Sequence, residues 1–262
     1  MKDIIVVVLA HPDDESFGMG GTLAKYAAQG AAVHLVLATR GEAGIPSTDP
    51  SRAGAIREAE AQAACAVLGL RSLDFLGYLD GQLAQIDLEL AVDLLTSRLR
   101  LLQPEVVITF GPDGVSGHPD HIAVGRWTTM AYDRLCTEPG GPRMLYYLAS
   151  SAATQQVCGS PPAAETVGGP AAFIDVSPYL SRKILAMQQH RSQNPPYSGA
   201  PESEAGRLAC HEVFRLARWE DAEAPGEPVT AVFTGLKAEQ NVHALGSATR
   251  PSEDQPGKGE AR

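Results

Sequence analysis

Apolar runs of strand length alternate along the chain with longer stretches of helical periodicity, and the alternation repeats four times before it weakens. Residues 4–10 form an unbroken apolar run rich in β-branched side chains, the pattern of a parallel strand buried on both faces. Gly18, Met19, Gly20 and Gly21 then open a predicted helix over 22–29, with Gly30 where a helix C-terminus favours glycine. Further strands are predicted over 32–38, 72–76 and 106–110, and further helices over 52–68, 88–102 and 121–134. A strand over 144–149 closes the regular part. Beyond it, 150–170 reads as a long surface excursion, 178–190 as a helix, 194–206 as a Pro/Gly/Ser loop and 212–218 as a late strand. No internal repeat is visible.

Strand and helix in this alternation specify an α/β fold, a Rossmann-like doubly wound, mostly parallel sheet with helices on both faces. One domain is expected over 1–243, and the tail over 244–262, which lacks apolar periodicity, is expected to be disordered. Right-handed crossovers place every strand's C-terminal end on one edge, where open α/β sheets collect ligands. Polar clusters follow four strands directly, at 11–15, 40–50, 77–82 and 111–121, so four loops converge on one rim.

Composition narrows the partners. The 262 residues are 44% hydrophobic and 20% charged, ordinary for a globular chain. A net charge of -10, from 21 Lys+Arg against 31 Asp+Glu, excludes the basic footprint of a nucleic-acid or anionic-membrane binder. Cys65, Cys136, Cys158 and Cys210 form no CxxC pair, so neither a zinc knuckle nor a redox motif is written here, and free thiols in a reducing compartment are expected. The run over 4–10 is too short for a signal peptide, and no apolar stretch approaches the ~20 residues of a membrane span. A cytoplasmic protein is expected.

Two segments carry the candidate chemistry: His11-Pro12-Asp13-Asp14-Glu15 and His118-Pro119-Asp120-His121. Each lies in a loop after a strand, and the fold brings these loops together. A mixed imidazole and carboxylate set suits zinc, whose catalytic sites take three protein ligands and leave a position for water. Spacing alone leaves open which of Asp13 and Asp14, and which of His118 and His121, is the ligand. Arg57 and Glu60, at i and i+3 of a helix, read on their own as an exposed ion pair, and Asp80 as a turn aspartate. Glu15 reads as a charge favouring a helix N-terminus. Gly18, Gly20 and Gly21 do not have dinucleotide-binding spacing.

HPDDE after the first strand, GGTLA opening the first helix and HPDH after a later strand resemble the LmbE-like, or PIG-L, superfamily of zinc-dependent N-acetylglucosaminide deacetylases. The resemblance extends to the His190-Arg191-Ser192-Gln193 segment, similar to the family's late HxSQ element. It implies His11, Asp14 and His121 as metal ligands and Asp13 as general base toward a zinc-bound water. It further implies His118 as oxyanion partner and general acid with Asp120 fixing its ring, and Arg57 and Asp80 as substrate-binding residues. The expected enzyme is a metal-dependent hydrolase, zinc or Fe2+ its ion, that removes the N-acetyl group from a small N-acetylglucosamine-type conjugate; a homo-oligomer is compatible with this reading. The alternatives are an amidase or deacylase acting on another amide of an amino-sugar or thiol conjugate, and, from a different class, a catalytically silent sugar-binding module. Intact Asp13, Asp14, His118 and His121 speak against the last. One departure concerns Ser116, which stands where members of the mycothiol pathway carry a tyrosine. His34 is expected to be structural, and His190 to line the rim of the site.

Overall fold

A computed structural model of the chain describes residues 3–149, 171–195 and 211–219. Its strands are β1 (Ile4–Leu9), β2 (Ala32–Thr39), β3 (Ser72–Tyr78), β4 (Val106–Phe110), β5 (Met144–Ala149), β6 (Ala171–Asp175) and β7 (His211–Trp219). Its helices are α1 (Asp14–Ala28), α2 (Pro50–Leu68), α3 (Leu88–Leu102), α4 (Pro119–Leu135) and α5 (Leu180–Met187). The excursion at 150–170, most of the loop at 194–206, Cys158, Cys210, His243 and the tail over 244–262 lie outside the described residues, as does the domain boundary at 243. Among those described, no helix is long and apolar enough to cross a membrane.

The strands form one sheet in the order β3-β2-β1-β4-β5-β7-β6. β1 to β5 are mutually parallel where they pair, and β7 runs antiparallel between β5 and β6. The expectation that all strands end on one edge therefore fails at β7, which runs against its two neighbours. β1 lies inside the sheet between β2 and β4, its residues from Ile5 onward wholly buried. Right-handed crossovers put α1 and α2 on one face, and the reversal of direction after β3 puts α3 and α4 on the other. The reversal leaves a crevice between the C-terminal ends of β1 and β4, the switch point at which such sheets bind ligands.

Caps explain most of the helix boundaries. Asp49 accepts from the Arg52 N–H at the start of α2, which Gly69 ends at φ 79°. Asp87 accepts from Leu90 N at the start of α3. α1 departs from expectation, since it begins at Asp14 and runs through the glycine stretch rather than after it. Met19 breaks its geometry, at φ −147° and ψ 19°. The glycines are contact points: a Cβ on Gly18 would meet the Leu148 side chain at 2.7 Å, and one on Gly21 would meet Val176 at 2.5 Å. After the break, the N–H groups of Gly21 and Thr22 donate to the Glu212 carboxylate of β7 at 3.0 and 2.7 Å. Lys183 of α5 neutralises that carboxylate at 2.6 Å. This buried pair ties three distant elements together, so Glu212→Ala, which strands the lysine and two donors, should lower unfolding stability by about 3–5 kcal/mol in urea titrations.

β6 was not expected, although its inward positions Ala172 and Ile174 are buried and Phe173 between them is exposed, the period-two signal of a short strand. The helix expected over 178–190 is shorter, with single 3₁₀ turns over Ser177–Tyr179 and Arg191–Gln193 flanking α5.

Candidate active site

The loops after β1 and β4 meet at the switch point and bring the two His-Pro-Asp segments together. His11, Asp14 and His121 each offer a ligand atom, and those atoms lie within 4.8 Å of one another. Each histidine is held from behind. His121 stacks on Phe110, with ring centroids 4.0 Å apart and planes 3° from parallel, and its Nδ1 donates to the Gly114 carbonyl at 3.1 Å. With Nδ1 so engaged, Nε2, 3.3 Å from Asp14 Oδ1, is the ring atom left to face a metal. Gly114 is required there: its φ is 63°, and a Cβ would come within 3.0 Å of the His121 Cβ.

His11 is oriented the opposite way round. Its Nε2 lies 3.1 Å from Asp80 Oδ1 and 3.3 Å from Asp120 Oδ2, while Nδ1 lies 3.7 Å from Asp14 Oδ2. Carboxylate or carbonyl behind each imidazole is the arrangement that fixes metal-ligating histidines, so the donor set fits a divalent cation. Burial opposes charge on His11, but hydrogen bonds to Asp120 and Asp80 and the charge of Asp14 outweigh it and raise its pKa to about 10. Burial also opposes ionisation of Asp14, yet His121 and His11 pull its pKa down to about 2. It is a ready-made anionic ligand.

Asp120 meets the His118 ring through its backbone N–H rather than through its carboxylate. Its carboxylate does not hold the His118 ring; it accepts from the N–H groups of Gly81 and Leu83 at 2.7 and 3.1 Å and from His11. His118 is the N-cap of α4, its Nδ1 accepting the Asp120 backbone N–H at 3.1 Å. Nδ1 is thereby an acceptor, and the proton of the neutral ring sits on Nε2. Burial and the neighbouring His11 and His121 lower the His118 pKa, which favours that neutral form.

Asp13 has φ 111°, a conformation L residues rarely adopt. Its carboxylate lies 3.3 Å from Arg57 Nη2. Burial and the charge of Asp14 raise its pKa to about 7 against the opposing pull of Arg57, the range in which a general base works best near neutrality. Arg57 does not pair with Glu60. It is 3% exposed and donates to the Pro12 and Gly41 carbonyls. Gly41 and Gly44 make room for it, since a Cβ at either would lie within 2.3 Å of its Nη1. Asp80 accepts from the Ala43 N–H at 3.1 Å. Arg57 and Asp80, expected to touch substrate, thus form the floor of the crevice.

Ser116 Oγ lies 3.5 Å from His121 Nδ1, and His34 is satisfied by Ser72 Oγ at 2.7 Å. Two residues with a larger part than expected are Glu15 and His190, both wholly buried and joined at 2.7 Å. Neither lies at the rim. The clue available in sequence was the late His-Arg-Ser-Gln element, which has no role unless it packs on the first motif.

Residues 6–132 match the PIG-L family, described as GlcNAc-PI de-N-acetylase. A 1D-myo-inositol 2-acetamido-2-deoxy-alpha-D-glucopyranoside deacetylase of Acidothermus cellulolyticus is 38% identical over 155 residues, a match covering 50% of this chain and 53% of that protein. The enzyme of the same name from Thermobifida fusca is 33% identical over 236 residues, covering 72% of this chain and 82% of its own. Among solved structures, the N,N'-diacetylchitobiose deacetylase from Pyrococcus horikoshii superposes with a TM-score of 0.63 at 22% identity, over 82% of this chain and 84% of that one. At that identity the likeness speaks for the fold.

Proposed function

The chain belongs to the PIG-L (GlcNAc-PI de-N-acetylase) family, and from that premise we propose that it is a metal-dependent hydrolase removing the N-acetyl group of an N-acetylglucosamine-type sugar conjugate. The observation that carries this reading is the pairing of the His11, Asp14 and His121 donor set with Asp13, a carboxylate whose pKa is raised to about 7. A binding module has no use for a base beside a metal site. The ion we propose is zinc, with Fe2+ the alternative; when bound it supplies a Lewis acid that polarises the amide carbonyl and acidifies water.

The chain's own residues supply the remaining steps. Asp13 takes a proton from the attacking water and returns it to the departing amine nitrogen, a shuttle that a carboxyl titrating near neutrality performs in both directions. His118, held by the Asp120 N–H at Nδ1, offers its Nε2–H to the carbonyl oxygen as charge develops there, the stage at which such a donor contributes most. The general-acid role implied for His118 passes to Asp13, because a neutral ring that gave up its only proton would be left as an anion. Arg57 holds Asp13 and the loop carbonyls from below. Asp80 steadies His11 from the floor and faces the sugar hydroxyls with the rest of its carboxylate.

The substrate proposed is a small amino-sugar conjugate in the cytoplasm. Ser116 in place of tyrosine favours an aglycone other than that of the mycothiol precursor. Metal analysis of the purified chain, with amine and acetate release measured across N-acetylglucosamine conjugates, tests the reading. About one ion per chain and release abolished by a chelator are expected. Absence of both metal and release after zinc or iron is added would overturn it.

A further inference from the structure

The late His-Arg-Ser-Gln segment is bonded into the site at three points. His190 Nε2 meets Glu15 Oε1 at 2.7 Å. Ser192 binds Glu60 of α2 through its N–H at 2.8 Å and its hydroxyl at 2.6 Å. Gln193 donates to the Gly44 carbonyl at 3.2 Å. The segment therefore joins the first turn of α1, the helix α2 and the loop after β2, which are the three pieces that surround Asp13 and Arg57.

The contact with Glu15 reaches furthest. Its second oxygen, Oε2, accepts the backbone N–H of Asp13 at 3.0 Å, while Oε1 also takes the Ser16 hydroxyl at 2.6 Å. Asp13 is the residue whose φ of 111° needs outside support. The Asp13 carbonyl is fixed separately, by Ser16 N and Phe17 N at 3.0 Å each, so its two peptide groups are both restrained. Glu15 and His190 have no exposed surface. Removing one therefore leaves the other a buried polar group without its mate.

We propose that Glu15 and His190 are positioning residues that act through Asp13: His190 pins the Glu15 carboxylate, and Glu15 pins the peptide that sets the direction of the Asp13 side chain. This rests on the reading of Asp13 as the base. Neither residue belongs to the metal donor set or to the floor under the substrate. Their loss should therefore reduce kcat and leave KM and metal content unchanged.

A mutant cycle tests the proposal. His190→Phe and Glu15→Gln should each lower kcat about 10²-fold, the effect of a misplaced catalytic group, with KM and bound metal within twofold of the parent. His190→Gln, which keeps a donor, should recover part of the loss. Placed on Asp13→Asn, His190→Phe should lower kcat no further, because a residue acting through Asp13 has nothing left to act on. Amide exchange at Asp13, which needs no substrate, should accelerate in His190→Phe and in Glu15→Gln. Should wild-type protein hydrolyse none of the amides, the functional reading fails by itself, and Asp13 exchange still decides the linkage. A lower melting temperature with unchanged kcat and unchanged Asp13 exchange would overturn the proposal, as would loss of metal in both single variants or a full additional loss of kcat on the Asp13→Asn background.

Discussion

Asp13→Asn is expected to keep its metal and lose turnover by about 10²–10⁴-fold, the usual contribution of a positioned base. The amide preserves the shape that Arg57 and the loop enclose but neither accepts nor returns a proton. Metal content should be unaffected, since Asp13 is outside the proposed donor set of His11, Asp14 and His121. In the parent, with the Asp13 pKa raised to about 7, the basic form is populated above that pH, so kcat/KM should climb with pH up to about 7 and then level off. The acid limb should vanish from the residual activity of Asp13→Asn. Stability moves the other way. A carboxyl whose folded pKa exceeds its unfolded value stabilises the folded state while protonated and loses that contribution as pH rises through the folded pKa. Metal-free Asp13→Asn should therefore melt higher than the metal-free parent above pH 7, a gain bought by removing the catalytic charge. If Asp13→Ala loses the metal and Asp14→Ala retains it, the two aspartates have exchanged roles and the assignment falls.

Asp14→Ala and His121→Ala should abolish both metal binding and activity, whereas Asp120→Asn should weaken metal binding only about 10–100-fold, the usual effect of altering a carboxylate behind a ligating imidazole. The gradation separates atoms that hold the ion from the atom that aims His11, and competition with a chromophoric chelator measures it. Binding should also strengthen with pH. Without metal, His11 keeps its proton up to about pH 10. Burial works against a proton on His121, but the charge and hydrogen bond of Asp14 raise its pKa too. An incoming ion must displace these protons, so affinity rises as they leave. A pH-independent affinity would mean that neither histidine is a ligand.

Much of the frame was legible because it depends on short-range patterns. β4, β5 and α3 have the boundaries that the apolar period predicts, since strands buried on both faces and a helix capped by Asp87 announce themselves locally. Where glycine was read as a helix boundary, it instead marked contact with Leu148 and Val176. A missing Cβ looks the same in sequence whether it serves a turn or a close approach. β6 went unread because five residues at a sheet edge carry too little periodicity to stand out from a loop.

The chain by itself determined the residue types of the site and the loops that bear them: two His-Pro-Asp segments after parallel strands in a fold that must gather those loops at one edge. Only the tertiary structure decided which atoms face which. Asp120 turned out to orient His11 through its carboxylate and His118 only through its backbone N–H, Arg57 to hold Asp13 and the loop carbonyls, and Glu15 to join His190 across 175 positions of chain. The reason is physical. Secondary structure follows from patterns within a few residues, but a buried polar atom takes its partner from whatever packing brings within 3 Å, and that partner can lie anywhere along the chain.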